Sequence, residues 1–213
     1  MPNQNPAIKP FMSLGPVIPV LVIDDTDKAV PLARALIAGG IKVLEITLRT
    51  PNALSVISEI ARHVPDAVLA AGTVTTPEQW EASARAGARF AVSPGLTPRL
   101  LDAAAQAPIP LLPGVATASE LMTAMDAGFE CFKFFPAQQA GGLGMLKALG
   151  GPFAQALFCP TGGITPQTAP DFLALPNVAC VGGSWLAPSA ALASGDWAAI
   201  TALAQAASSL RQA

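Results

Sequence analysis

Eight short apolar runs recur along the chain at a spacing of roughly twenty residues, and this repeat restricts the fold more than any other feature. They are VIPVLVI (17–23), VLEITL (43–48), AVLAAGT (67–73), FAVSPG (90–95), IPLLPGV (109–115), CFKFFPA (131–137), LFCPTGG (157–163) and VACVGGSW (178–185). Helix starts lie between them. Thr76-Pro77-Glu78, Thr97-Pro98 and Thr117-Ala118-Ser119-Glu120 each place a capping hydroxyl ahead of a proline or an acid. Glycines close several of these helices, in AGG (38–40), RAG (85–87) and DAG (126–128). Strand followed by helix, eight times over, predicts an α/β fold, a single (β/α)8 TIM barrel. An open doubly wound sheet is the other arrangement the pattern allows. No linker or low-complexity stretch divides the chain, so residues 1–213 are expected to form one domain. Residues 1–14 are expected to be an N-terminal helical cap, and Asp196 to Ala213 a last helix on the outside.

Composition removes several function classes. Charged residues are only 12 % of the chain against 52 % apolar, which implies extensive burial, subunit interfaces included. The net charge is −2 and no basic block exists, so nucleic acid is not an expected partner. Mean hydropathy is +0.48, yet no run of about 18 apolar residues escapes interruption by Gly, Pro or a charge, so no membrane partner is expected. The N-terminus lacks the basic and apolar regions of a signal peptide, which predicts a cytoplasmic location. Cys131, Cys159 and Cys180 read as small buried hydrophobes in a reducing compartment. The single histidine, His63, ends a helical pattern and cannot supply a multi-histidine metal cage, so no metal is expected.

Alternation along the strands picks out the chemistry. In VLEITLRT, Leu44, Ile46 and Leu48 share one face and suit packing under helices. Glu45, Thr47 and Arg49 share the other, which points inward. A carboxylate and a guanidinium inside a barrel are costly unless paired or used. Four strand residues separate Glu45 from Arg49 by roughly 13 Å, too far for them to satisfy each other, so each faces another group. A structural ion pair with some other inward residue is the plainer alternative. In CFKFFPA, Phe132 and Phe134 pack outward and Lys133 points inward, where it could meet Glu45. An amine held there can be the nucleophile that forms a Schiff base with a ketone. A lysine reaching along the wall to the rim is the structural alternative.

Two glycine-bearing turns, CPTGGITP (159–166) and CVGGSW (180–185), end the last two runs. In barrels that position commonly holds phosphate on backbone N–H groups, with Gly162, Gly163, Gly182 and Gly183 permitting close approach and Ser184 adding a hydroxyl. They could equally be tight turns. Thr73 and Thr161, at the ends of their strands, offer hydroxyls to a substrate, and Pro94 ends the fourth run.

VLEITLRT, AAGTV, AVSPGLTP, PLLPGVAT, FKFFPA, GPF, FCPTGGI and GGSWL occur in order, from about Gly15 to the final helix. Together they resemble the bacterial 2-keto-3-deoxy-6-phosphogluconate (KDPG) aldolases, also called 4-hydroxy-2-oxoglutarate aldolases. The resemblance implies a class I aldolase with no metal or other cofactor, in which Lys133 forms the Schiff base and Glu45 is the general acid/base. It implies that Arg49 and Thr73 hold the pyruvate carboxylate and that Thr161 contacts the substrate near the cleaved bond. Gly162, Gly163, Gly182, Gly183 and Ser184 would hold the phosphate, and Pro94 and Phe135 complete the substrate-binding set. The expected partners are a phosphorylated keto acid and further copies of the chain in a homotrimer. The expected reaction cleaves KDPG to pyruvate and glyceraldehyde 3-phosphate, and also 4-hydroxy-2-oxoglutarate to pyruvate and glyoxylate. The alternatives are the galactonate epimer as substrate, or a non-covalent phosphosugar isomerase or synthase on the same fold. One departure from the resemblance is Gly144, where some relatives carry a lysine; Lys147 is a candidate substitute for gripping the phosphate.

Overall fold

The computed structural model describes residues 8–210, and every strand in them pairs in parallel. The strands are β1 (Val17–Leu21), β2 (Val43–Thr47), β3 (Val68–Gly72), β4 (Phe90–Val92), β5 (Leu111–Leu112), β6 (Gly114–Val115), β7 (Cys131–Phe134), β8 (Leu157–Pro160) and β9 (Val181–Gly183). Six of them form one sheet in the order β5-β4-β3-β2-β1-β9, and three form a second in the order β6-β7-β8. The fold is therefore α/β with a parallel sheet. The two sheets adjoin at both ends. The chain runs from β5 through Pro113 into β6, and single bridges join Phe158 to Val178 and Thr161 to Gly182. The run IPLLPGV was expected as one strand and is instead split at Pro113. Proline has no N–H to continue the ladder, although its carbonyl still accepts from Lys133 N–H at 2.9 Å.

The helices follow the sequence signals. They are α1 (Lys9–Met12), α2 (Ala29–Ala38), α3 (Ala53–His63), α4 (Pro77–Ala86), α5 (Pro98–Ala103), α6 (Ala118–Asp126), α7 (Gly142–Gly150), α8 (Ala169–Leu173), α9 (Ser189–Ser194) and α10 (Trp197–Ser208). Thr76, Thr97 and Thr117 cap α4, α5 and α6, each side-chain oxygen accepting a backbone N–H of the first turn. At α6 the cap is reciprocal, because Glu120 reaches back to the Thr117 N–H at 3.0 Å. Gly87 ends α4 at φ +106°, a left-handed conformation that a side chain would penalise. His63 is the exposed last residue of α3, its Nδ1 3.0 Å from the Glu59 carbonyl. Of the expected cap, residues 1–7 lie outside those described; Lys9–Met12 is a single helical turn, with Ile8 and Met12 fully buried.

Each strand has two differently packed faces. Leu44 and Ile46 of β2, and Phe132 and Phe134 of β7, belong to the large cluster under the helices. The opposite, inner face carries a second cluster that includes Ile18, Val43, Ala70, Phe90, Leu112 and the three cysteines, and Ile8 and Met12 close it at the N-terminal ends of the strands. Cys131, Cys159 and Cys180 are thus packed as apolar residues, as expected. Burial raises the Cys131 thiol from its ordinary 9.0 to about 11, with the Glu130 charge adding to the shift. The neutral thiol's contribution to stability is complete below about pH 9 and is lost as the pH climbs towards 11. At pH 8 iodoacetamide should therefore leave Cys131 unmodified in the native protein and label it after denaturation; rapid native labelling would contradict this packing.

Candidate active site

At the C-terminal half of the inner face the apolar packing gives way to two charges. Glu45 projects from the middle of β2 and Lys133 from β7, and Lys133 Nζ lies 3.1 Å from Glu45 Oε1. Their side chains are 4 % and 5 % exposed, so the pair is shut off from bulk water. Alternation explains why both arrive there, since their strand neighbours Leu44, Ile46, Phe132 and Phe134 all take the helix-facing side. The surrounding inner face is cut back to make room. Gly72 is the next inner residue of β3 after Ala70, which pairs with Glu45, and a Cβ on Gly72 would run into the Glu45 carboxylate. Gly114 is the register partner of Lys133, and a Cβ there would strike the Pro94 carbonyl. Gly72→Ala is expected to push the carboxylate away from Lys133 and to cost about 1–3 kcal/mol through overpacking. Chemical denaturation together with turnover checks this, and a variant unchanged in both would contradict it.

A cavity of about 230 Å³ opens close to the pair, with neither Lys133 nor Glu45 in its lining. Eight of the twelve expected site residues line it: Arg49, Phe135, Thr161, Gly162, Gly163, Gly182, Gly183 and Ser184. Lys133 Nζ is 5.4 Å from the centre of the Phe135 ring, and Glu45 is the register partner of Val20, which also lines the cavity. Lys133 and Glu45 therefore sit at its edge. At one side Arg49 Nε donates to Thr73 Oγ1 at 3.3 Å. Thr73 has φ +60°, the one positive φ outside glycine among the described residues, a conformation that costs energy for a β-branched side chain. No carboxylate stands within 4.0 Å of the Arg49 guanidinium among the described residues, and Arg49 is the only charged side chain lining the cavity. At the other side are the two glycine pairs and the exposed Ser184. Thr161 is buried between them, its hydroxyl donating to the Cys159 carbonyl at 3.3 Å.

The remaining expected residue, Pro94, does not line the cavity; it is half-buried beside Gly114. Lys147, the candidate substitute on α7, lines a separate cavity with Gly150, Ala154, Leu175, Pro176 and Asn177 and not the one with the glycine turns. Gly144 is exposed with open space around it. Three contributors were not picked from the sequence. Val20 and Ile164 line the cavity, and Gln138 packs against Gly163 and donates its N–H to the Gly162 carbonyl at 3.2 Å. Val20 was reachable by alternation from Ile18, but Gln138 had no local signal.

An amine beside a carboxylate, both dry, can exchange a proton and so present a neutral nucleophile to a carbonyl group. Among the described residues no group of three or more His, Cys, Asp or Glu could hold a metal ion. Comparison with known proteins agrees with this chemistry. A curated KDPG aldolase of Pseudoalteromonas atlantica is 57 % identical over 95 % of this chain and 94 % of its own. The solved KDPG aldolase of Legionella pneumophila, which holds pyruvate as a covalent carbinolamine, superposes with a TM-score of 0.92 at 52 % identity, covering 94 % of this chain and 97 % of that one. The Zymomonas mobilis enzyme, solved with 3-phosphoglycerate, gives a TM-score of 0.91 at 49 % identity over 97 % of both chains. With the family of KDPG and KHG aldolases matched over residues 8–203, this chain belongs to that family and is an aldolase.

Proposed function

We propose that this aldolase cleaves KDPG through a Schiff base on Lys133, with Glu45 as the general acid/base. The observation that carries the proposal is the buried 3.1 Å contact between Lys133 and Glu45 at the edge of a cavity with a guanidinium at one side and glycine turns at the other. The Lys133 amine, having passed a proton to Glu45, attacks the C2 ketone of the 2-keto-4-hydroxy acid. Glu45 gives that proton to the departing carbinolamine hydroxyl, so loss of water leaves a protonated imine and an ionised Glu45, and the iminium accepts the electron pair of the C3–C4 bond. Glu45 takes the C4 hydroxyl proton, the bond breaks, and glyceraldehyde 3-phosphate leaves. Glu45 returns a proton to C3 of the enamine, and water hydrolyses the imine to pyruvate and free Lys133.

Binding follows the same geometry. Arg49 and Thr73 hold the carboxylate, with Pro94 and Phe135 bounding the pyruvate portion and Thr161 near the cleaved bond. Gly162, Gly163, Gly182, Gly183 and Ser184 hold the phosphate on N–H and O–H donors. No cofactor takes part in this reaction. The same machinery cleaves 4-hydroxy-2-oxoglutarate to pyruvate and glyoxylate. The galactonate epimer is not favoured, since the relatives at about half identity or more are named for the gluconate-derived substrate.

The architecture that supports this is a single domain in which the two sheets form one closed (β/α)8 barrel, β5 and β6 together making one of its strands. The Pro113 connection and the Phe158–Val178 and Thr161–Gly182 bridges support closure, and the turn Lys9–Met12 belongs to an N-terminal cap. The exposed Leu14, Val22 and Met122, with a charged fraction of only 12 %, favour burial between copies of the chain, and the family resemblance makes that assembly a homotrimer, placed in the cytoplasm. No described helix is long and apolar enough to cross a membrane.

The test is pyruvate release, coupled to lactate dehydrogenase, from KDPG, its galactonate epimer and 4-hydroxy-2-oxoglutarate, with and without EDTA. The expected result is the highest kcat/KM for KDPG, unchanged by EDTA. Loss of activity on chelation, or no pyruvate from any of the three, would overturn the proposal.

A further inference from the structure

The glycine side of the cavity has donors but no cation. Arg49, the one charged side chain in the lining, stands at the opposite side, and Lys147, the basic residue of α7, lines a different cavity. Gly144 is exposed with open space around it. The turns themselves offer backbone: the N–H groups of Gly162, Gly163 and Ser184 donate to no other backbone carbonyl among the described residues. A phosphate monoester brings three acceptor oxygens and a charge of about −1.5 to −2 at neutral pH. Neutral donors alone must answer that charge, so each further one within reach matters.

The segment after β7 supplies one. Ala137 and Gln138 donate their N–H groups to the Thr161 and Gly162 carbonyls at 2.8 and 3.2 Å, which ties this segment to the first glycine turn. A Cβ on Gly163 would meet Gln138 Cγ at 2.8 Å and would stand 3.8 Å from Gln139 Nε2. Both side chains therefore lie over Gly163. The Gln138 amide is turned towards α7, its Oε1 3.2 Å from where a Cβ of Gly142 would be. The Gln139 side chain is exposed, and its amide has no hydrogen-bond partner among the described residues. It stands outside the lining of the cavity, at the rim beside Gly163.

We infer that Gln139 is a specificity-determining residue for phosphorylated substrates: its carboxamide donates an N–H to the phosphate from the rim. The inference rests on the assignment of the glycine turns to the phosphate given above. A carboxamide has two donors on a flexible side chain, so it can follow an oxygen held by the Gly163 N–H without any movement of the backbone. Being neutral, it stays hydrated at little cost when no phosphate is present. A hydrogen bond to a charged acceptor is worth about tenfold in affinity.

The test measures kcat and KM for KDPG and for 4-hydroxy-2-oxoglutarate, which carries no phosphate, in the wild type and in Gln139→Ala, Gln139→Glu and Gln139→Lys. Gln139→Ala should raise KM for KDPG about tenfold and leave kcat within about twofold. Gln139→Glu should raise KM further, because a carboxylate repels the phosphate, and Gln139→Lys should return it to the wild-type value or below. KM and kcat for 4-hydroxy-2-oxoglutarate should stay within about twofold in all three variants, which also reports that they fold. A KM for KDPG that does not rise in Gln139→Ala and Gln139→Glu, or that is not lowest in Gln139→Lys among the three, overturns the inference. So does a rise that is equal for both substrates. Failure of the wild type on both substrates overturns the aldol reaction itself, and the role of Gln139 falls with it.

Discussion

Lys133→Met is expected to abolish turnover and, at the same time, to destabilise the protein. The covalent electron sink disappears, so no residual aldol cleavage should rise above background. The stability loss has a separate cause. Glu45 is 3 % exposed and Lys133 is its one ionic partner among the described residues, so removing the amine leaves a buried carboxylate without compensation. Breaking a buried pair from one side typically costs about 3–5 kcal/mol, while replacing both partners by neutral groups of similar volume is often close to neutral. The double variant Glu45→Gln/Lys133→Met should therefore regain most of the lost stability and none of the activity. Urea denaturation of the wild type, the single and the double variant checks this. A single variant as stable as wild type would mean that the pair is not held in the dry arrangement described.

Glu45→Gln is expected to separate the two halves of the chemistry. The carboxamide keeps the size and can still accept a hydrogen bond from Lys133, but it cannot take the amine's proton, so pyruvate should still form some imine, through amine that has lost its proton to water. It cannot shuttle the proton between the C4 hydroxyl and the enamine carbon. Turnover should therefore fall by about 10²–10⁴, the usual worth of general acid–base catalysis. Steady-state kcat alongside imine formation from pyruvate gives the answer, and unchanged kcat would remove Glu45 from the proton transfers.

Much of this site was legible because strands have a period of two. Once Leu44 and Ile46, or Phe132 and Phe134, are assigned to the helix side, Glu45 and Lys133 have no other place to go. The helix caps at Thr76, Thr97 and Thr117 were legible for the same local reason, since each depends on residues within one turn. What failed or was missing depends on contacts between distant segments. The pairing of Glu45 with Lys133 in particular joins positions 88 apart in sequence, and their spacing alone left a structural ion pair with some other residue open. The break at Pro113 was visible as a proline, but not as a point where one ladder stops and another starts. Lys147 was a candidate only as a stand-in for the lysine that some relatives carry near Gly144, and the sequence could not say that it lines a different cavity from the glycine turns. The space made by Gly72 could not be read from AAGTV, because it exists for a side chain on another strand.

The central claim is that the Lys133 amine is the covalent nucleophile. Incubation with pyruvate and sodium borohydride, followed by proteolysis and mass analysis, tests it most directly. The account predicts a single reduced adduct on the peptide carrying Lys133, with activity lost in proportion to labelling. An adduct on Lys9, Lys28, Lys42 or Lys147 instead, or full activity after treatment with no adduct at all, would contradict it.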